Sequence, residues 1–184
     1  PNCSSAASDV YKRQVHDPRT GQILESDILW YHNVMNLLRN WFFIQTAAVN
    51  TDARNVDFDT ELMGELVRFV SAHEVGHTLG LPHNMGSSAG YTVEQLRDPE
   101  FTSTHGVSPS IMDYARFNYV AQPGDGVTNF FPMVGEYDIW SINWGYRWFP
   151  DVEAADDENE VLHDMIMANG DDPLYFFGYA NGSD

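Results

Sequence analysis

Residues His73-Glu74-Val75-Gly76-His77-Thr78-Leu79-Gly80-Leu81-Pro82-His83 set three histidines and a glutamate in the pattern H-E-x-x-H-x-x-G-x-x-H. No other stretch of the chain constrains its fold as tightly. Four residues apart, His73 and His77 lie one above the other on the same face of a helix. Two imidazole nitrogens so placed reach one metal ion about 2.0–2.1 Å away. Glu74 projects beside them, where it can hold a zinc-bound water and take its proton. Gly80 lets the backbone leave the helix by a left-handed turn that a side chain would resist. Pro82 then blocks helix continuation. The turn brings His83 back as a third ligand and leaves a fourth position open for water. Satisfied surface histidines on an ordinary helix would need neither the glycine nor the third histidine at these offsets.

The rest of the chain supplies a setting for that helix. Its 184 residues predict one domain, with 43% hydrophobic and 14% aromatic residues to build a core. No run of 18 apolar residues occurs, so no segment reads as a membrane span. The net charge is −18, and 16 of the 27 acidic residues fall from Asp98 onward, against only Arg116 and Arg147. Such a surface repels phosphate backbones and argues against nucleic-acid binding. The six acids from Asp151 to Glu160 read as a solvated helix start or loop, since they lack the ordered spacing of a calcium loop. Cys3 is the only cysteine, which excludes an intrachain disulfide. Residues 1–14 resemble translated sequencing-adapter read-through and are expected to be non-native, irregular and poor in contacts.

Along the chain, Asp17-Pro18-Arg19-Thr20-Gly21 predicts a turn and Gln22–Trp30 a strand. Val34, Leu37, Leu38, Trp41, Phe42 and Ile44 carry a helical period over about Tyr31–Asn50. Asp59 or Thr60 caps the next helix, expected from Thr60 to Leu79. After His83 the Gly, Ser and Pro content predicts irregular structure around a cleft, with a short helix capped by Thr92. Further helices are expected over Val134–Trp148 and Asp156–Ala168. Trp140, Trp144 and Trp148 are four apart and predict a core stripe. Leu174–Phe177 reads as a strand. His16, His32, His105 and His163 lack ligand spacing.

Downstream of the third histidine stands Ser110-Ile111-Met112-Asp113-Tyr114. With the histidine stretch, it resembles the metzincin clan of zinc endopeptidases, in which a methionine in a tight turn lies beneath the zinc site. Met112 matches that Met-turn. A tyrosine two residues later resembles astacins and serralysins, where it stands near the metal and helps stabilise the tetrahedral intermediate; Tyr114 matches it. Leu79–Ser88, Pro109–Asp125, Asp17–Leu24 and Gly135–Trp140 narrow the likeness to the large zinc-dependent metalloproteases of Bacteroidota. Asn84 is a departure: the best-known metzincin subfamilies carry Glu, Pro, Ser or Asp directly after the third histidine. Metzincin domains also place several strands before the active-site helix, and only one convincing strand precedes it here.

The resemblance implies an α+β fold, a metzincin-like zincin catalytic domain over residues 15–184, mainly helical, with an incomplete sheet and truncation at both ends. It implies a zinc-dependent endopeptidase with one catalytic zinc ion held by His73, His77 and His83. Glu74 would activate the zinc-bound water, Tyr114 would assist the oxyanion, and residues 115–122 would wall a substrate pocket. The partner would be a protein or peptide substrate, and the setting secreted, periplasmic or cell-envelope in a bacterium. Two alternatives stand beside it. One is a non-catalytic zinc-binding module for protein or glycan partners, which would not need Glu74. The other is a non-peptidase hydrolase on the same metal site.

Overall fold

The computed structural model describes residues 11–150, 152 and 154–179. The chain divides into two compact units, Pro1–Pro82 with Gln122–Gly124, and His83–Ala121 with Asp125–Asp184.

In the first unit, strands β1 (Tyr11–His16) and β2 (Ile23–Leu29) pair antiparallel, Gln14 opposite Ser26, with an irregularity between Val15 and His16. The expected turn joins them. Asp17 N–H donates to Gln22 O at 2.8 Å, and Gly21 sits at φ +73°. The expectation of an irregular segment through residue 14 is corrected here. Tyr11–Gln14 form ladder bonds, and Gln14 Nε2 donates to Thr78 O at 2.7 Å. The tight turn brings both flanking segments into register, and main-chain pairing needs little from the side chains. Residues 1–10 lie outside the described residues.

Helix α1 (Asn33–Thr46) buries Val34, Leu38, Phe42 and Thr46, one stripe at a four-residue spacing. It packs against α2 (Thr60–Thr78), in which Leu66 is fully buried. Burying each such Leu or Phe is worth roughly 1.5–3 kcal/mol. The connector is polar but anchored. Arg54 donates to Ala47 O and Ala48 O, at 2.7 and 3.2 Å, satisfying carbonyls of the turn that follows α1. Phe58 meets Phe42 edge-on at 5.8 Å, under the Arg39 guanidinium.

In the second unit, α3 (Val93–Leu96) begins with a reciprocal cap between Thr92 and Gln95. Helix α4 (Pro99–His105) was not expected. Its signal is Asp98-Pro99-Glu100: the Asp98 carboxylate accepts from Glu100 N and Phe101 N, and Pro99 occupies the first turn. Helices α5 (Glu136–Tyr146) and α6 (Glu158–Met167) match expectation within two residues at each end. Between α4 and α5 the chain is irregular, and one buried and one partly buried asparagine meet its hydrogen-bonding needs. Asn118 donates to Leu96 O and accepts from Val120 N and Ala121 N. Asn129 donates to Thr102 O and accepts from Phe131 N.

Two further expectations are corrected. Trp148 is 80% exposed, because α5 ends at Tyr146 and the stripe loses its helix. Trp144 is 37% exposed, its indole donating to Leu162 O, so Trp140 and Trp144 both keep partly packed places and only Trp148 leaves the stripe. Leu174–Phe177 is not a strand. Asp172 caps a 3₁₀ turn at Pro173–Tyr175, and Phe176 follows in extended form.

Candidate metal centre

Asp59 starts α2, its carboxylate accepting from Leu62 N at 2.8 Å, with Glu61 in the first turn. Fourteen residues on, the helix presents His73 and then His77, both buried, their rings edge-to-face at 4.8 Å. Glu74 is half-buried on the same turn.

The helix end is built by two bonds. Gly80 N–H donates to His77 O at 2.9 Å and Leu81 N–H to Gly76 O at 3.1 Å. This is the Schellman arrangement, and it requires the left-handed residue that Gly80 supplies at φ +90°. The turn also brings Leu81 O to 2.8 Å from His77 Nδ1. With Nδ1–H donating there, Nε2 of His77 is the atom left for a metal. The next residues are Pro82 and His83.

One ligand atom from each of His73, His77 and His83 lies within 4.8 Å of the other two, and all three residues are buried. Bonds of 2.0–2.1 Å span at most about 4.2 Å between donors, so small ring rotations complete the site. A set of three neutral imidazoles suits zinc and other first-row metals, whereas calcium and magnesium take oxygen ligands. The residues fit the ion that the spacing predicts. Among the described residues no other group of three His, Cys, Asp or Glu is brought together in this way.

The second motif is equally well anchored. Met112 is fully buried, and Met112 O accepts from Asn84 N–H at 3.1 Å, tying the turn to the residue after His83. The Tyr114 ring lies 4.5 Å from that of His83, while 54% of the residue is exposed. Its phenol therefore belongs to a solvent-accessible face beside the third histidine.

Sequence reasoning missed two buried aspartates that hold this turn. Asp138, in the first turn of α5, accepts from Ser110 Oγ at 2.6 Å, Ile111 N at 2.7 Å and Gly135 N at 2.9 Å. Burial pushes its carboxyl above the usual range, against the pull of those donors. Gly135 is needed there, because a Cβ would come within 2.1 Å of Pro109 O. Asp113 accepts from Ser88 Oγ at 2.7 Å and from Ser88 N, and from the Tyr114 and Ala115 amides. Burial again pushes its carboxyl up. The only advance signal was Asp138 three residues after Gly135, a helix-start spacing.

His16, His32 and His163 stay outside the metal group, as expected, and so does His105. His105 Nδ1 lies 2.6 Å from Glu136 Oε1, and Tyr91 Oη donates to Glu136 Oε2 at 2.6 Å. Burial opposes the charge on Glu136, but the Tyr91 and His105 contacts prevail and hold its carboxyl low.

A family model described as Met-zincin matches residues 55–184, a span that holds both motifs. The chain belongs to the Met-zincin family. No curated protein and no solved structure matches it. Family membership and the three-histidine group together support a function of the zinc metalloprotease type.

Proposed function

We propose that this Met-zincin is a zinc-dependent endopeptidase. The observation that carries the reading is the convergence of three buried imidazoles around one point, with Glu74 next to His73 on the same helix. A zinc ion there would polarise a peptide carbonyl and acidify a water molecule. Glu74 would take the proton of the attacking water and pass it to the leaving amine. Tyr114 would donate a hydrogen bond to the developing oxyanion. Strand β2, paired only with β1 among the described residues, offers its other edge to an extended peptide. A secreted or envelope location fits a chain whose only cysteine is Cys3.

The test is metal content together with cleavage of a peptide library. The parent chain should purify with, or take up, one zinc ion and cleave peptides. Glu74→Gln should keep the metal and lose about 10²–10⁴ in rate. His77→Ala should lose metal and activity together. Tyr114→Phe should lower kcat more than it raises KM. A parent chain that binds zinc and cleaves no peptide would overturn the endopeptidase reading in favour of the binding module or the non-peptidase hydrolase.

A further inference from the structure

Asn84 follows the third histidine and is completely buried. Three hydrogen bonds fix it. Its N–H donates to Met112 O at 3.1 Å. Its Nδ2 donates to Phe176 O at 3.0 Å, and its Oδ1 accepts from Gly178 N at 2.9 Å. The side-chain amide thus pairs with the Phe176–Gly178 segment as a strand residue's main chain would. Two residues on, Gly86 N–H donates to Gly178 O at 3.3 Å, extending the pairing.

The two segments are in contact at the main chain. A Cβ on Gly178 would lie 2.8 Å from Gly86 Cα and N, and one on Gly86 would lie 2.9 Å from Gly178 Cα. Both positions therefore require glycine. Aromatic rings seat the same segment against α5: Phe177 stacks with Tyr137 at 6.3 Å, and Tyr175 meets Trp140 at 6.0 Å.

A backbone held on both sides immediately after His83 leaves that histidine little freedom. Its N-terminal side is Pro82, whose φ is fixed by the ring. We propose that Asn84 is a positioning residue for the third metal ligand, and that the docked Phe176–Gly178 segment is part of the same device. Docking limits the swing of His83 before any metal arrives, so less ordering remains to be done on binding. A carboxylate at position 84 would accept from Gly178 N but could not donate to Phe176 O. The amide is the group that satisfies both. This inference rests on the metal-centre reading above.

The test uses the full 184-residue chain and zinc itself, with affinity read by chelator competition and geometry by the visible spectrum of the cobalt-substituted protein. Asn84→Ala removes the pairing, and Gly178→Ala pushes the segment away while keeping Asn84. Each should weaken zinc binding about 10–100-fold and alter the cobalt spectrum. Asn129→Ala is the matched control, since Asn129 also donates to one carbonyl and accepts from one N–H in the same unit. It should lower the melting temperature and leave zinc affinity at the parent value. Parent-like affinity in Asn84→Ala and Gly178→Ala, or equal weakening in Asn129→Ala, would overturn the proposal. If Asn84→Ala does not fold, Gly178→Ala decides alone, because it removes no side chain and leaves Asn84 in place. A parent chain that binds no zinc would overturn the metal-centre reading, and this inference with it.

Discussion

Two glycines, one inside helix α2 and one just past its C-terminal end, should respond to alanine with opposite sign. Gly64 lies inside the helix, and a Cβ built on it meets nothing within 4 Å. Alanine there adds no clash and removes backbone freedom from the unfolded chain, a gain of about 0.5–1 kcal/mol. Gly80 closes the helix at φ +90°, and a Cβ there also meets nothing within 4 Å. Its cost is therefore purely that of forcing an L-residue into the left-handed region, about 1–2 kcal/mol. At roughly 2–4 °C per kcal/mol for a chain of this size, Gly64→Ala should melt about 1–4 °C higher and Gly80→Ala about 2–8 °C lower. Urea denaturation of both variants beside the parent measures the difference, with unchanged slopes showing that stability alone has moved. Gly80→Ala should also weaken metal binding, because the two bonds that turn the chain toward His83 depend on that backbone. Variants that shift stability in the same direction would refute the assignment of Gly80 to a left-handed cap. A Gly80→Ala loss well beyond 2 kcal/mol would show that the position is sterically filled.

Asp138→Ala should cost roughly 3–5 kcal/mol, since it strands three donors around the methionine turn, whereas Asp138→Asn should cost less because the amide oxygen still serves Ile111 N and Gly135 N; paired denaturation curves decide this. Two carboxylates should show opposite pH dependence. Burial raises the folded Asp138 above its ordinary 3.8, so the native state binds its proton first. The parent's stability relative to Asp138→Asn should therefore grow as pH falls through that raised value to about 3.8. Glu136 is held below its ordinary 4.5, so its contribution is complete above 4.5. The parent's advantage over Glu136→Gln should shrink as pH falls from there through the lowered value. Equal slopes in both comparisons would contradict the two environments.

What was legible in the sequence is what a few neighbouring residues decide. Asp59 caps α2, Gly80 ends it, and four-residue spacing stacks His73 over His77; each follows from local geometry and appears where expected. Helix α4 obeyed equally local rules at Asp98-Pro99-Glu100, but the surrounding Gly, Ser and Pro obscured them. The tryptophan stripe failed for a different reason. Periodicity predicts a shared face only while the helix lasts, and α5 stops before Trp148.

The illegible part consists of polar groups whose partners are distant in sequence. Asp138 reaches back 28 residues to Ser110, and Asn84 reaches forward more than 90 to Phe176 and Gly178. A lone Asp in a first turn or a lone Asn after a histidine carries no mark of such a partner, because capping or solvation would satisfy it equally well. Leu174–Phe177 shows the consequence. Its aromatic composition predicts a strand, and part of the segment is indeed extended, yet its partner is not another strand. At Phe176 and Gly178 the partner is the side chain of Asn84. Spacing in the sequence therefore announces the three-histidine group, while the long-range polar contacts around it are visible only once the chain has folded.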